Sequence, residues 1–443
     1  MCSMRLLAAT CVLVLVAGCA PTGVPSVQPS PGVSAPPSTL APTATPTVDR
    51  VTGWRSDLDV LVPGMARIHP KLDHGTSMAD LESAVTSLKA RVPTATDDAV
   101  MVGLLGIVAM VSAAGCDAHT GAYVWGGGGY PVDSMPLRLW WFDEGLYVVD
   151  ALDPYRDLIG SRIDRIDGHP TSAVTAAIEP IVPRDNASTV RLLMPRFVLI
   201  PQILRGLGLA DAGPIALGTT GTDGLTRTTT VNPIPMAAYN GWAGAYGLHL
   251  PANPAVLYLS RMDDILWWEP LPDDPSTMFV QYNRVQNIAT TTIASLKTAL
   301  EAPGIDRIIL DIRHNYGGEL SALPPILTLF QGQAAAHPGR VILATGRNTF
   351  SAAGLFAAQL DATEEIVVAG EPMAGCPTTY GDPSDLRLPY SGIIINVAGT
   401  LAVGVATADP RQTIDPDLAA PLTAEAWAAG IDPVLAALAA EGP

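Results

Sequence analysis

The sequence predicts an α/β fold in which the C-terminal half forms a mostly parallel β-sheet flanked by helices. From Asn253 onward, segments with the character of strands alternate with segments with the character of helices, which is typical of βαβ units. The first clear strand, residues 305–312, is rich in isoleucine, as in a strand that is buried on both faces. Further along, we predict a helix over 320–330, a strand over 341–345, a helix over 351–360 and a strand over 365–369.

Residues 50–125 are predicted to form a helical N-terminal region. Leu58, Leu61 and Met65 recur at helical spacing, so they lie on one face of a helix. Thr96 precedes two aspartates and the apolar stretch 100–111, and a threonine in this position caps the first turn of a helix. The apolar stretch therefore predicts a buried helix.

Residues 126–250 are predicted to form a β module with its connection to the parallel sheet. The strand-like runs 137–142 and 146–149 flank a short turn that ends in Gly145, which is the pattern of a hairpin. The stretch 160–168 has glycine at both ends and isoleucine at its fourth and seventh positions. It resembles the G-x-x-I-x-x-I-x-G segment of PDZ-like modules, which bind chain ends by adding a strand to a sheet edge.

Residues 1–18 have the pattern of a secretory signal peptide. Arg5 precedes an apolar run that ends in small residues, and this run is too short to span a bilayer. The small residues stand directly before Cys19 and resemble a bacterial lipobox, which implies that Cys19 becomes a lipid-modified N-terminus. The alternative is an ordinary signal peptide followed by an incidental cysteine.

Residues 19–49 are predicted to be a tether. They are nearly all Pro, Ser, Thr, Ala, Val and Gly, a composition that cannot bury a core and that its prolines keep extended. Together with the predicted lipid anchor, this segment leads us to expect an exported, extracytoplasmic chain held at the cell envelope membrane.

The charge and the remaining motifs exclude several classes of partner. The net charge is −17 and no basic cluster interrupts it, which argues against nucleic acid as a partner. No later segment is an uncharged apolar run long enough to cross a bilayer. No pair of histidines has the spacing of a metal site, and no phosphate-binding loop with Gly-Lys-Ser or Gly-Lys-Thr is present. We therefore expect neither a metal nor another cofactor.

Three clusters of residues could carry chemistry, namely 311–318, 349–354 and 115–120. Ser351 stands between a predicted strand and a predicted helix, where a tight turn exposes the hydroxyl and the amide of Ala352 can help to hold an oxyanion. Gly317 and Gly318 follow another predicted strand, and their backbone can approach a substrate carbonyl closely because they have no Cβ. The alternative is that Ser351 only caps the helix that follows it.

A serine hydroxyl becomes a nucleophile only when a base accepts its proton. Of the seven histidines, His119 has the most distinctive setting, because it lies between Asp117 and Thr120 at the end of the apolar helix. The alternative is that His119 is a structural histidine.

Taken together, the clusters resemble a known family. Asp-x-His-Thr, Asp-x-Arg-x-Asn-x-Gly-Gly, Phe-Ser-Ala-Ala, Gly-Glu-Pro and Pro-Asp follow one another in this order, as they do in the C-terminal-processing and tricorn-core serine peptidases. The branch that includes the repeats of interphotoreceptor retinoid-binding protein looks most similar. This resemblance implies a catalytic domain of the ClpP/crotonase type over residues 251–443 and a degenerate PDZ-like module before it.

The resemblance also implies roles for individual residues. It makes Ser351 the nucleophile, His119 the base, and Ala352 with Gly317 or Gly318 the oxyanion hole. An acid completes the triad in this branch and comes shortly before the Pro-Asp motif. Asp409 is the best candidate here, although it is one residue off the spacing of the family, and Asp415 is the alternative.

A second branch of the family uses a lysine as the base, and this chain departs from that pattern. At the position that corresponds to the lysine, the sequence has Cys376 and no lysine nearby, so a Ser-Lys mechanism is not expected. Cys116 lies three residues before His119. If His119 and Ser351 meet, the resemblance implies that Cys116 and Cys376 are close as well, and we predict a disulfide between them. The alternative is two separate buried thiols.

The lipobox-like segment implies a cell-envelope lipoprotein, and the family resemblance implies that it hydrolyses peptide bonds in a peptide or protein substrate by a Ser-His-acid mechanism. The alternative function is a non-catalytic binder of an apolar ligand or of a peptide terminus on the same fold, as the retinoid-binding relatives imply. The combination of Ser351, His119 and both glycines favours the hydrolase, since a binder does not need that set.

Overall fold

The computed structural model describes residues 48–126, 129–244, 248–363, 365–405 and 407–441. The predicted signal peptide, Cys19 and nearly all of the predicted tether lie outside these residues. None of the helices in this part of the chain combines the length and the apolar character that a membrane span needs.

The N-terminal region of the described chain is helical. It consists of α1 (Arg50–Ala66), α2 (Met78–Arg91) and α3 (Asp97–Ala109). The hydroxyl of Thr96 accepts a hydrogen bond from the amide of Ala99 at 3.2 Å, so Thr96 caps α3 as its sequence position predicts. Most of α3 is buried, in agreement with its apolar sequence.

An antiparallel β module with several helices follows. Its strands are β1 (Asp133–Ser134), β2 (Leu137–Phe142), β3 (Gly145–Ala151), β4 (Arg162–Ile166), β5 (His169–Pro170), β6 (Ile215–Thr220), β7 (Thr226–Val231) and β8 (Ile234–Pro235). Its helices are α4 (Thr171–Ile178), α5 (Ala187–Val198), α6 (Pro201–Gly206) and α7 (Met236–Ala243). The main sheet has the strand order β2-β3-β4-β6-β7, and the predicted hairpin is the pair β2–β3.

The C-terminal half contains a six-stranded sheet of order β16-β13-β12-β11-β10-β9. Its strands are β9 (Leu266–Pro270), β10 (Thr277–Tyr282), β11 (Arg307–Asp311), β12 (Val341–Thr345), β13 (Ile366–Gly370) and β16 (Leu418–Ala419). All neighbours pair in parallel except β9, which is antiparallel to β10. The predicted α/β fold with a mostly parallel sheet is therefore confirmed.

Helices cover the two faces of this sheet, and a long hairpin extends from it. The helices are α8 (Leu257–Ser260), α9 (Thr290–Leu300), α10 (Pro324–Ala336), α11 (Ala352–Asp361), α12 (Ala424–Ala429) and α13 (Pro433–Glu441), and the hairpin strands are β14 (Thr378–Arg387) and β15 (Ile394–Val403). Along β11, Ile308 and Leu310 pack into one core and Ile309 packs into the core on the opposite face. A strand with both faces buried needs an unbroken apolar run, which explains the isoleucine-rich sequence.

The hairpin β14–β15 holds the segment that follows the N-terminal helices. Gly121 and Asn396 exchange backbone hydrogen bonds of 3.0 and 2.9 Å, and the amide of Tyr380 donates to the carbonyl of Cys116 at 2.9 Å. Residues 116–121 are thereby fixed against the C-terminal half of the chain, although they are far from it in sequence.

Candidate active site

Ser351 and His119 meet in the structure. Ser351 is the last residue before α11, and its Oγ lies 3.0 Å from Nε2 of His119, which is 232 positions away in the sequence. This distance is that of a hydrogen bond between a hydroxyl and an imidazole. The pair therefore has the geometry in which the imidazole can accept the serine proton.

The backbone at Ser351 is strained. Its φ is 55°, a region that residues with a side chain other than asparagine and aspartate rarely occupy. Ser351 also makes no side-chain capping hydrogen bond to α11, so its hydroxyl contacts His119 instead of serving as a helix cap. The structure therefore does not support the alternative that Ser351 only caps the helix.

The loop that carries Ser351 is held by a second loop. The amide of Phe350 donates to the carbonyl of Asn315 at 3.1 Å, and the hydroxyl of Thr349 donates to the carbonyl of Ile312 at 2.9 Å. The side chain of Asn315 is buried; it donates to the carbonyl of Tyr282 and accepts from the amide of Gly317, both at 2.9 Å. Asn315 therefore fixes the loop that carries Gly317 and Gly318 relative to Ser351. We did not assign this role from the sequence.

Gly317 lies against residues 350–352, the turn that carries Ser351 (the serine turn), whereas Gly318 lies against the backbone of Val285. A Cβ on Gly317 would lie 2.7 Å from the amide nitrogen of Ala352 and 2.7 Å from Cβ of Ser351. Because the amide of Gly317 already donates to Asn315, it is the less suitable of the two glycine amides for an oxyanion hole. In the described part of the chain, neither the amide of Gly318 nor that of Ala352 has a hydrogen-bond partner, so these two remain available to an oxyanion.

His119 is buried and kept neutral. Its ring stacks on Phe350 with a centroid distance of 4.6 Å. Burial lowers the pKa of His119 to about 4, although the charge of Asp117 and the backbone of Tyr380 favour the protonated ring. A neutral imidazole is the form that can accept a proton from Ser351. Among the described residues, Nδ1 of His119 has no hydrogen-bond partner of good geometry.

The structure does not bring Asp409 to His119. The carboxylate of Asp409 accepts hydrogen bonds from Nε and Nη2 of Arg411 at 3.0 and 2.7 Å, and these bonds lower its pKa. The amide of Asp409 donates to the hydroxyl of Thr378, which fixes its segment at the base of β14. Asp415, the alternative acid, is exposed. Neither residue hydrogen-bonds to the candidate base.

The carboxylate whose charge acts on His119 is Asp117. It is fully buried and accepts hydrogen bonds at Oδ2 from Nε2 of His69 and of His74, at 3.1 and 2.9 Å. Burial opposes the ionisation of Asp117, but the combined effect of its interactions with His69, His74 and Thr120 holds its pKa below the ordinary value. We did not predict this cluster, because His69 and His74 are far from Asp117 in sequence and their separation of five residues matches no common metal motif.

His69, His74 and Asp117 are close enough to one another to hold a metal ion. Their hydrogen bonds show whether this cluster is better suited to a metal ion or to a hydrogen-bonded carboxylate. The amide of Lys71 donates to Nδ1 of His69 at 3.0 Å. A neutral His69 therefore carries its proton on Nε2 and donates it to Asp117, whereas a metal would need the lone pair of Nε2. The hydrogen bonds favour a buried carboxylate with two imidazole donors over a metal site.

The predicted disulfide is present. Cys116 and Cys376 are joined, with their Cα atoms 5.5 Å apart and 260 positions between them in the sequence. In the chain-entropy model a loop of this length contributes about 5.5 kcal/mol to stability. Gly375, the residue before Cys376, packs directly on the serine turn, since a Cβ there would lie 3.4 Å from the amide nitrogen of Ser351. The disulfide thus connects the segment of His119 to the surroundings of Ser351.

Comparisons with known proteins show the fold. No protein-family model matches the chain, and no curated protein matches it. A crystal structure of a CPAF mutant is similar, with a TM-score of 0.59 and 12% identity over 86% of this chain and 95% of that chain. The structure of mature CPAF complexed with lactacystin has a TM-score of 0.56 and 12% identity over 86% and 96% of the two chains. A photosystem II D1 C-terminal processing protease is a more distant match, with a TM-score of 0.38 and 14% identity over 84% and 94% of the two chains. The fold that the sequence resemblance implied is confirmed by the two CPAF structures.

Proposed function

We propose that this chain is a serine-type peptidase with Ser351 as the nucleophile and His119 as the general base. The observation that carries the proposal is the 3.0 Å contact between Oγ of Ser351 and Nε2 of His119. It is supported by the strained turn at Ser351 and by the two amides that face no partner within the described chain. Side chains that only pack do not require a strained backbone at this point.

The proposed reaction proceeds through an acyl-enzyme. Nε2 of His119 accepts the proton of Ser351 while Oγ attacks the carbonyl carbon of the scissile bond, and the amides of Ala352 and Gly318 donate to the oxyanion. His119 then gives the proton to the leaving amine, and a water activated by His119 hydrolyses the ester. Asp117 stabilises the imidazolium through space, since it does not hydrogen-bond to His119. Cys376 is disulfide-bonded, so no residue at that position acts as a base.

The first prediction is covalent labelling of Ser351. We expect a fluorophosphonate probe to modify the purified chain at Ser351, because phosphonylation needs the same activated hydroxyl and oxyanion hole as peptide hydrolysis. The adduct is located by mass spectrometry of the digested protein. Ser351→Ala is expected to abolish the adduct, whereas Ser391→Ala, which changes a serine in the loop between β14 and β15, is the matched control and should leave it unchanged.

The alternative function gives a different result. A chain that only binds a peptide terminus or an apolar ligand has no activated hydroxyl, so Ser351 would react no faster than Ser391. That outcome would contradict the peptidase, and extraction of the purified protein for a bound ligand would then test the binder.

We also propose that the peptidase is anchored in the cell envelope through a lipid on Cys19. The lipobox-like sequence before Cys19 and the proline-rich residues after it support this location. We expect a labelled fatty acid to be incorporated into the wild-type chain and not into Cys19→Ala, because the acyl groups are attached at this cysteine. Cys11→Ala is the control within the predicted signal peptide. Incorporation into both variants would refute the assignment of Cys19.

A further inference from the structure

Asp185 is a buried carboxylate that the proposed reaction does not use. It lies just before α5, and its exposed fraction is 0%. No arginine, lysine or histidine of the described chain forms an ion pair with it. A buried carboxylate without a cation is costly unless it serves as a hydrogen-bond acceptor that nearby groups require.

The hydrogen bonds of Asp185 come from two segments that border the candidate active site, that of His119 and that of Cys376. Oδ1 accepts from the amide of Ala118, directly before His119, at 2.6 Å. Oδ2 accepts from the amide of Cys376 at 3.2 Å and lies 3.3 Å from the hydroxyl of Thr379. The backbone carbonyl of Asp185 accepts from the amide of Cys116 at 2.8 Å. One residue thus binds the segment of the base and the segment that packs on the serine turn.

We propose that Asp185 is the positioning residue of the catalytic base, holding the backbone of Ala118 and Cys376 so that His119 stays within hydrogen-bond distance of Ser351. This inference rests on the proposed peptidase function. The alignment of base and nucleophile is sensitive, since a displacement of about 1 Å can lower a rate about 100-fold. A carboxylate holds amide donors more firmly when it is ionised, because charge-assisted hydrogen bonds are shorter and stronger than neutral ones.

The surroundings of Asp185 place its ionisation near neutral pH. Burial raises the pKa of Asp185 to about 7, against the opposing effect of its amide donors, and the charge of Asp117 raises it further. The other ionisable groups nearby are already engaged. His69 and His74 bind Asp117, His119 is neutral, and the neighbouring Arg184 binds Glu179. Cys116 and Cys376 do not titrate, because they form the disulfide.

The inference predicts two steps in the pH dependence of Ser351 labelling. His119 alone would keep the rate constant until the pH falls to about 4, where the base becomes protonated. Asp185 adds a step near pH 7, below which its carboxyl is neutral. We expect the second-order rate of fluorophosphonate labelling to fall about 10-fold to 100-fold as the pH decreases through this step.

The test compares wild type with Asp185→Asn between about pH 9 and about pH 5. Asparagine keeps an oxygen for Ala118 but cannot ionise, so the step near neutral pH should disappear and the rate at high pH should fall to the level of the lower plateau. Asp57→Asn is the matched control, since Asp57 is also fully buried and accepts from two backbone amides, those of Tyr390 and Ser391. The control should retain the step.

A second readout does not depend on activity. The amide of Cys376 donates to Asp185, and the chain contains five cysteines, so NMR of the full chain with cysteine labelled at nitrogen shows few signals. One of them should titrate near pH 7 in wild type and not in Asp185→Asn. Thr379→Val removes a hydroxyl beside Oδ2 and should move this midpoint to higher pH, since the ionised carboxyl loses a donor.

The outcomes separate the inference from the proposed function. A labelling step near neutral pH that persists in Asp185→Asn overturns the inference while leaving the peptidase intact. If wild type is not labelled at any pH, the proposed peptidase function is wrong. If, in addition, no cysteine amide signal titrates near pH 7, the proposed role of Asp185 is wrong as well. Loss of both the labelling step and the amide titration in Asp185→Asn supports the inference.

Discussion

Replacing His119 with alanine is expected to lower the rate of fluorophosphonate labelling and of peptide hydrolysis by a factor of about 1,000 or more, because Ser351 loses the proposed general base. Among the described residues, no other side chain hydrogen-bonds to Oγ of Ser351, so none can take over. The residual rate should be close to that of Ser351→Ala in hydrolysis, since members of such a pair act as a unit.

The loss must come from the missing base and not from a disturbed fold. His119 is buried and stacks on Phe350, so thermal unfolding of His119→Ala should be measured alongside the rate. His119→Gln fills more of the same space without a base of comparable strength and should be equally inactive. Full activity in either variant would show that Ser351 is not activated by His119.

Replacing Arg313 with methionine is expected to lower the free energy of unfolding by about 3–5 kcal/mol. The guanidinium of Arg313 contacts two carboxylates, Asp311 at 2.6 Å and Asp432 at 2.7 Å, and all three side chains are nearly or fully buried. Methionine of similar length keeps part of the packing but leaves two buried carboxylates without a cation. Denaturant unfolding of both proteins at the same pH measures the effect.

The decrease in unfolding free energy caused by Arg313→Met should be smaller at low pH. Burial already raises the pKa of Asp311 in the wild-type protein, where Arg313 opposes the shift, and removing Arg313 raises it further. A carboxyl whose pKa is raised on folding stabilises the folded chain at low pH and loses this contribution as the pH increases. Arg313→Met should therefore be less destabilised at about pH 5 than at about pH 8.

The matched control is Arg227→Met, which removes an arginine from an exposed pair with Asp223. An exposed pair is strongly solvated in both states, so its loss should change the unfolding free energy little. A similar loss in both variants would mean that the destabilisation of Arg313→Met does not come from the buried carboxylates.

The helices and strands that the sequence predicts best are those whose formation depends mainly on a local apolar run. The strand 341–345 has the predicted bounds, and the strand and helix that follow it begin within one residue of the predicted positions, because a buried strand and a buried helix require continuous apolar runs. The predicted helix over 320–330 is instead a short 3₁₀ turn followed by α10, since Pro324 and Pro325 fit the first turn of a helix and not its interior.

The site is harder to predict, because it depends on contacts between distant segments. The resemblance to a family named Ser351 and His119, which the structure brings together, but it also named Asp409, which instead binds Arg411 two residues away. Nothing in the local sequence of Asp185 distinguishes it from an exposed aspartate, since its partners lie 67 and 191 positions away. A signal for such residues would have to come from covariation between segments.

The hairpin β14–β15 is synthesised after both candidate catalytic side chains. The segment of His119 pairs with Asn396 through Gly121, and Arg313 pairs with Asp432 near the end of the chain. A growing chain that has just passed Ser351 therefore contains both candidate catalytic side chains but not the strands that bring them together. The contact between Oγ of Ser351 and Nε2 of His119 in the folded chain therefore depends on residues that are synthesised well after both of them.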